Sequence, residues 1–345
     1  MDILNNIIDE KNVAFIIAEV AQAHDGSLGI AHSYIDAAAE AGVDAIKFQT
    51  HIAEAESTID EPFRVKLSQQ DETRFDYWKR MEFSFEQWNG LVDHAREKGL
   101  VFLSSPFSVK AVEILEKLGI PAWKIGSGEA VSGDIIDAIL KTKKPVLLST
   151  GMSTYQEIDQ MVDRFKMHRV DYALFQCTSK YPVDFSEVGL NIINVMKERY
   201  NCPVGLSDHS GSIYPSLAAL AIGANMIEAH IVFDKRMFGP DTSASITVEE
   251  FKILTKARDA FFKMNSNPVN KDKIVESMKN MRKSFSKSLA TVKDLSAGTV
   301  LTEDMITAKK PGTGIPVSDK SNIIGKKLKK DVEMSRLLQW EDLDD

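Results

Sequence analysis

The chain has 345 residues, 43% hydrophobic and 27% charged, and its 42 basic and 50 acidic side chains leave a formal net charge of −8. That balance excludes a nucleic-acid-binding surface, which needs clustered positive charge, and leaves room only for a local basic pocket. Two cysteines, Cys177 and Cys202, are too few for a disulfide framework and suit a reducing cytoplasm; no apolar run approaches the roughly 18 residues of a membrane span, and the acidic N-terminal stretch does not read as a signal peptide.

Residues 13–20 (VAFIIAEV) are a β-branched run, expected as a buried parallel strand. The helical pattern that follows closes at Gly42. Further strands are expected over 43–49, 100–105, 122–128, 145–151, 172–179, 203–210 and 225–234, each leading into a helical pattern. The polar stretch 50–83, after the second strand, is long for a βα loop and is expected to act as a lid. Eight strand–helix units in about 250 residues predict an α/β fold of the (β/α)8 TIM-barrel type. The competing doubly wound sheet would bring a Gly-rich dinucleotide fingerprint after its first strand, and none is present. The barrel is expected over 1–265 and a polar linker containing a helix over 266–284. A small domain with short β-like pieces and a PGTG turn is expected over 285–345. A module of that size is marginal alone and is expected to dock on the barrel or on another subunit.

A parallel barrel builds its active site at the C-terminal ends of its strands. Those ends carry Glu19 and Gln22 on the first strand, Lys47 and Gln49 on the second, Ser104 and Ser105 on the third, and Lys124 then Ser127 on the fourth. The later strands supply Ser149, Gln176, Thr178, Ser207, Asp208, His209, Glu228 and His230. Lysines in apolar strands are costly unless paired or bound to an anion. Two of them with serine neighbours and Gly126–Ser127–Gly128 favour an anion site, against ion-paired lysines or a Schiff-base nucleophile. His209 and His230 end adjacent strands and can reach one divalent ion, with Asp208, Glu19 and Asp241 as candidate completing carboxylates. The bland alternative is a pair of satisfied polar residues. His24 and His51 lie close enough to approach the site; His32, His94 and His168 read as solvated faces. By strand alternation Cys177 faces away from Gln176 and Thr178 and reads as packing. These residues alone suggest a metal-assisted enzyme acting on a phosphorylated or carboxylated small molecule.

The segments FIIAE, HDGS, AGVDAIKFQ, FLSSPF, KIGSGE, LLSTGM, QCTSKYP, GLSDHS and GPD, in this order, resemble the sialic acid synthase family. That family comprises N-acetylneuraminate synthases and relatives that make other nonulosonic acids. The segment from LSAGTVLTEDMI through KKPGTGI to IIGKKL is similar to that family's antifreeze-like (SAF) domain. The resemblance implies condensation of phosphoenolpyruvate with an N-acylated hexose in its aldehyde form, with release of phosphate. It implies a divalent ion, Mn2+ or Mg2+, on His209 and His230. It maps phosphoenolpyruvate contacts to Lys47, Lys124, Ser127 and Ser149, with Ser105, Gln176 and Ser207 alongside. Glu19 corresponds to a carboxylate near the reacting centre. Gln49, Tyr181, Asp241 and, in the SAF domain, Lys310 correspond to the sugar side. The resemblance also implies a domain-swapped homodimer. Three departures fall on the sugar side: Asp25 where Asn is common, Thr242 where His is common, and Lys310 where Arg is common. A Schiff-base pyruvate aldolase on the same barrel and a catalytically inactive carbohydrate-binding relative are the competing functions.

Overall fold

Runs rich in β-branched and aromatic residues become parallel strands here because each is covered on both faces. The computed structural model describes residues 13–63 and 68–344, and the chain divides between Ser266 and Asn267 into two units.

In the first unit, β1 (Phe15–Ala21) leads to α1 (Leu28–Ala41) and β2 (Ala45–Thr50). The polar excursion after β2 holds α2 (Ala53–Glu56) and α3 (Arg74–Met81) before α4 (Phe85–Glu97) and β3 (Val101–Pro106). Then follow α5 (Val109–Lys117), β4 (Trp123–Ile125), α6 (Gly133–Lys141), β5 (Val146–Ser149), α7 (Tyr155–His168), β6 (Tyr172–Cys177) and α8 (Asn191–Tyr200). The series ends with β7 (Val204–Asp208), α9 (Tyr214–Ala221), β8 (Met226–Val232), a short β9 (Ile246–Thr247) and α10 (Val248–Asn265). The eight main strands run in the order β3-β2-β1-β8-β7-β6-β5-β4, and β3 and β4 pack as neighbours across the remaining gap. The result is a nearly closed eight-stranded parallel barrel of the TIM type. Phe15, Ile17, Ala45, Leu103, Leu147, Phe175 and Met226 form a buried cluster of strand residues, while a larger cluster joins the strands to the helices.

Register carries the site. In the β1–β2 ladder Glu19 pairs with Lys47, and in the β1–β8 ladder it pairs with His230. Gln49 pairs with Ser105, and Ser207 with Glu228. Three chemically distinct side chains therefore share one level on consecutive strands. A register irregularity between Glu19 and Ala21 ends regular pairing there, and the chain leaves β1 for the loop to α1.

The excursion after β2 is partly helical rather than irregular. Thr73 and Asp76 form a reciprocal capping box that starts α3, and Tyr77, Trp78 and Met81 pack with Ala53 in a cluster of their own.

The second unit begins with α11 (Lys271–Ser277) and α12 (Lys279–Phe285), which bury no residue, within the stretch read as a linker. An antiparallel pair, β10 (Ser288–Thr291) and β11 (Ile306–Lys309), follows with α13 (Lys320–Ile323). Leu289, Leu301, Ile315, Ile323, Leu328 and Leu338 centre its own apolar cluster. Among the described residues no helix is long and apolar enough to cross a membrane.

Candidate active site

The C-terminal strand ends enclose a pocket lined by Glu19, Lys47, Gln49, Ser105, Lys124, Ser127, Ser149, Ser207, His209 and His230, with Tyr181 from the segment after β6. Eleven of the residues expected from the sequence thus meet at one place. Phe107, Gly126, Cys177 and Glu228 complete the lining.

Both lysines are almost wholly buried, Lys47 held by two carboxylates and a hydroxyl and Lys124 by one of each. Lys47 Nζ lies 2.9 Å from Glu19 Oε2 and 3.5 Å from Glu228 Oε1, and it donates to Ser105 Oγ at 3.4 Å. Lys124 Nζ lies 3.2 Å from Glu228 Oε1 and donates to Ser149 Oγ at 2.6 Å. Ser207 Oγ also donates to Glu228 Oε1, at 3.2 Å. Glu228 is therefore the hub of the cationic cluster. Its other oxygen, Oε2, is buried without a hydrogen-bond partner among the described residues. Such an orphan is costly in a closed core and suits a site that receives further polar groups.

Environment separates the two carboxyls. Burial drives the Glu19 carboxyl up to about 7, with Lys47 offsetting part of the rise and Glu228 adding to it. Burial acts the same way on Glu228, but Lys124 and Lys47 more than offset it and hold that carboxyl at about 2. Burial works against the Lys47 charge, yet Glu19 and Glu228 outweigh it and the pKa rises. For Lys124 burial wins over Glu228 and the pKa falls. Perturbed, opposed carboxyls in a cleft are a mark of functional sites.

His209 and His230 stand with ring centroids 5.5 Å apart. His209 Nδ1 is 3.1 Å from the Thr178 carbonyl oxygen, an acceptor, so Nδ1–H donates and Nε2 carries the lone pair. That nitrogen faces the Tyr181 hydroxyl at 3.1 Å. Burial lowers the His209 pKa to about 4 and that of His230 well below the usual imidazole value. Two unprotonated imidazoles, one oriented by a backbone carbonyl, have the form that ligates a metal ion. Among the described residues no three His, Cys, Asp or Glu side chains form a group able to hold a metal. His209 and His230 would therefore supply at most two ligands to a metal ion. Asp241 Oδ2 sits 3.8 Å from His230 Nδ1, beside the pocket rather than in its lining.

Two expectations are corrected. Gln176 does not line the pocket: its Nε2 donates to the Val188 carbonyl at 3.1 Å. Cys177 takes the inward position instead, in phase with Ala173 and Phe175, and a one-residue shift of phase turns every side chain to the other face. Gly151 shows how tightly this corner is built, because a Cβ there would lie 2.5 Å from Cys177 Sγ. Lys310 belongs to the second unit, where its ammonium sits over the Phe285 ring at 5.2 Å. His24 is buried and its Nδ1 accepts from Gly26 N at 3.1 Å. His32 and His94 pair with each other at 2.9 Å.

A model described as the NeuB family matches residues 34–270, and one described as the SAF domain matches residues 286–344. The chain belongs to the NeuB family. This NeuB family member is 33% identical to the N,N'-diacetyllegionaminic acid synthase of Campylobacter jejuni, over 94% of its own length and 98% of the relative's. It is 32% identical to a pseudaminic acid synthase of the same species, over 98% and 99% of the two chains. Human N-acetylneuraminate-9-phosphate synthase is also 32% identical, over 94% and 90%. Among solved structures, the sialic acid synthetase of Leptospira borgpetersenii superposes with a TM-score of 0.69 at 28% identity, covering 79% of this chain and 94% of that one.

Proposed function

We propose that this NeuB family member condenses phosphoenolpyruvate with an N-acylated hexose, N-acetylmannosamine or a related sugar, to a nonulosonic acid. The observation that carries the reading is the meeting of Lys47 and Lys124 with Ser105 and Ser149 in the same pocket as His209 and His230. Two ammoniums with neutral donors suit the phosphate and carboxylate of phosphoenolpyruvate, and Ser127 and Ser207 lie alongside. Gln49, Tyr181 and the nearby Asp241 form the sugar side.

In this reading C3 of phosphoenolpyruvate attacks the aldehyde carbon and the C–C bond forms. Water adds at C2, and the tetrahedral product of that addition expels phosphate by C–O cleavage. Lys47 and Lys124 hold the anion and take up the charge of the departing phosphate. Glu19, with its carboxyl near 7, is poised to accept the proton of the attacking water. His209 and His230 would hold a divalent ion, Mn2+ or Mg2+, whose chemistry when bound is Lewis-acid polarisation of the aldehyde. Lys310 as a sugar contact supplied by a second copy in a domain-swapped homodimer belongs to the same reading, and light scattering that returns a monomer removes that part.

The test is phosphate release from phosphoenolpyruvate with a panel of N-acylated mannosamines and Mn2+, with product masses read in parallel. Release that requires both substrates is expected. No release with any sugar, together with no bound metal, would leave a non-catalytic binder. The lowered pKa of Lys124 is the feature an aldolase would share, and a borohydride-trapped adduct with pyruvate would replace the condensation with that chemistry.

A further inference from the structure

Behind the pocket lies a polar cluster that the condensation does not itself use. His51 is 5% exposed and lies flat between two rings, 3.9 Å from Trp78 at 12° and 4.4 Å from Phe107 at 17°. The ring can neither tilt nor swing without breaking a stack. Its Nδ1 is 2.7 Å from Glu56 Oε1, and Glu56 is itself pinned because its Oε2 accepts from Ile52 N at 3.1 Å.

A chain of single orientations follows. A carboxylate only accepts, so His51 Nδ1 carries a proton. Nε2 lies 2.9 Å from Gln22 Nε2 and 3.2 Å from Gln49 Oε1, and in the Nδ1–H tautomer it accepts from the nearer of the two, the Gln22 amide. The same amide nitrogen donates to Gln49 Oε1. With its oxygen so engaged, Gln49 turns Nε2 outward, where it donates to Glu19 Oε1 at 2.9 Å. Turning Gln22 over would set oxygen against oxygen at Gln49, and turning Gln49 over would do so at Glu19 whenever that carboxyl is ionised. The two faces of a carboxamide have nearly the same shape, so only such partners choose between them. Glu19 and Gln49 line the pocket, while Glu56, His51 and Gln22 do not.

We propose that Glu56 and His51 are a positioning pair that fixes the carboxamides of Gln22 and Gln49 and thereby the hydrogen bond Gln49 donates to Glu19. The inference rests on the functional reading above, in which Glu19 acts at the reacting centre and Gln49 on the sugar side. The pair reaches the chemistry only through those two side chains.

The test uses the full chain with three substitutions. His51→Phe keeps the stack and removes the acceptor, His51→Gln restores an acceptor, and Glu56→Gln releases the tautomer. His51→Phe is expected to lower kcat/KM for the acceptor sugar by about tenfold, the lower end of what outer partners of a site are worth. Its KM for phosphoenolpyruvate should stay within about twofold, because the lysine side is untouched. His51→Gln should recover part of the loss. In 15N spectra the wild-type ring should show the Nδ1–H tautomer, and Glu56→Gln should convert it to a mixture. Wild-type kinetics in His51→Phe, or an Nε2–H tautomer in the wild type, overturns the proposal. A wild type inactive on every sugar fails the functional reading instead, and the spectra then decide the pairing alone.

Discussion

Lys47 and Lys124 occupy one small pocket, and two ammoniums so placed would repel each other strongly in a desolvated site. Glu228 Oε1, 3.5 Å from one and 3.2 Å from the other, offsets that repulsion. Removing one member of a buried ionic cluster leaves charges uncompensated and costs roughly 3 kcal/mol. Glu228→Gln should therefore melt well below the wild type in phosphate-free buffer. Phosphate should restore more stability to the variant than it adds to the wild type, because an anion that binds only the folded chain stabilises it by mass action. Thermal melts across a phosphate series check this. An equal phosphate response in both proteins would refute the counter-charge role. That the two strand-end lysines meet was legible in the sequence, but Glu228 was read there only as one polar strand-end residue among several. A carboxylate beside an expected anion site looks misplaced until its bridging position is seen.

At the scale of elements, the excursion between β2 and β3 is tied to the loop after β1 by one arginine. Arg80 on α3 donates to Asp25 Oδ1 at 2.7 Å and to the Asp25 carbonyl at 2.9 Å. It also pairs with Asp71 Oδ2 at 2.7 Å. Gly26, at φ 77°, meets this clamp so closely that a Cβ would lie 2.4 Å from the Arg80 carbonyl oxygen. Asp25, which departs from the common Asn, thus has a partner of its own in Arg80. Arg80→Ala should loosen the excursion without unfolding the barrel, raising the rate of proteolytic nicking within 57–63 and 68–73 by about tenfold, equivalent to about 1.4 kcal/mol of local stability. Unchanged nicking would show that the apolar cluster of Tyr77, Trp78 and Met81 alone holds the segment. None of this was legible in the sequence, because Arg80 and Asp25 are far apart in the chain and polar stretches carry little period. The eight barrel strands were legible, since each is a short apolar run punctuated by a helical pattern. The phase of β6 was not. In FQCTS both alternating sets hold polar residues, so alternation could not choose between Gln176 and Cys177.

Across the whole molecule, the two units have separate apolar clusters, and their titrating groups differ. All seven histidines lie before residue 267. Burial lowers the His24 pKa to about 3, helped by His51 and Arg80. The unfolded chain therefore binds a proton there that the folded barrel refuses, and this contribution is lost as pH falls below the ordinary imidazole value. The second unit has no such group. Its buried carboxyl, Asp342, is driven up by burial, but Lys330 at 2.7 Å, the Gln339 N–H at 2.8 Å and Arg336 at 3.3 Å hold it lower overall. A depressed carboxyl stabilises fully above its unfolded value, about 3.9, and loses that contribution as pH falls through the folded one. In calorimetry of the full chain, the transition of the second unit should hold steady from about pH 7 to 5 and fall only below about pH 4. Asp342→Asn should lower that transition near neutrality and flatten its acid limb, leaving the barrel transition unmoved. A second-unit transition that already declines between about pH 7 and 5, or an acid limb as steep in Asp342→Asn, would remove Asp342 as the group that sets it.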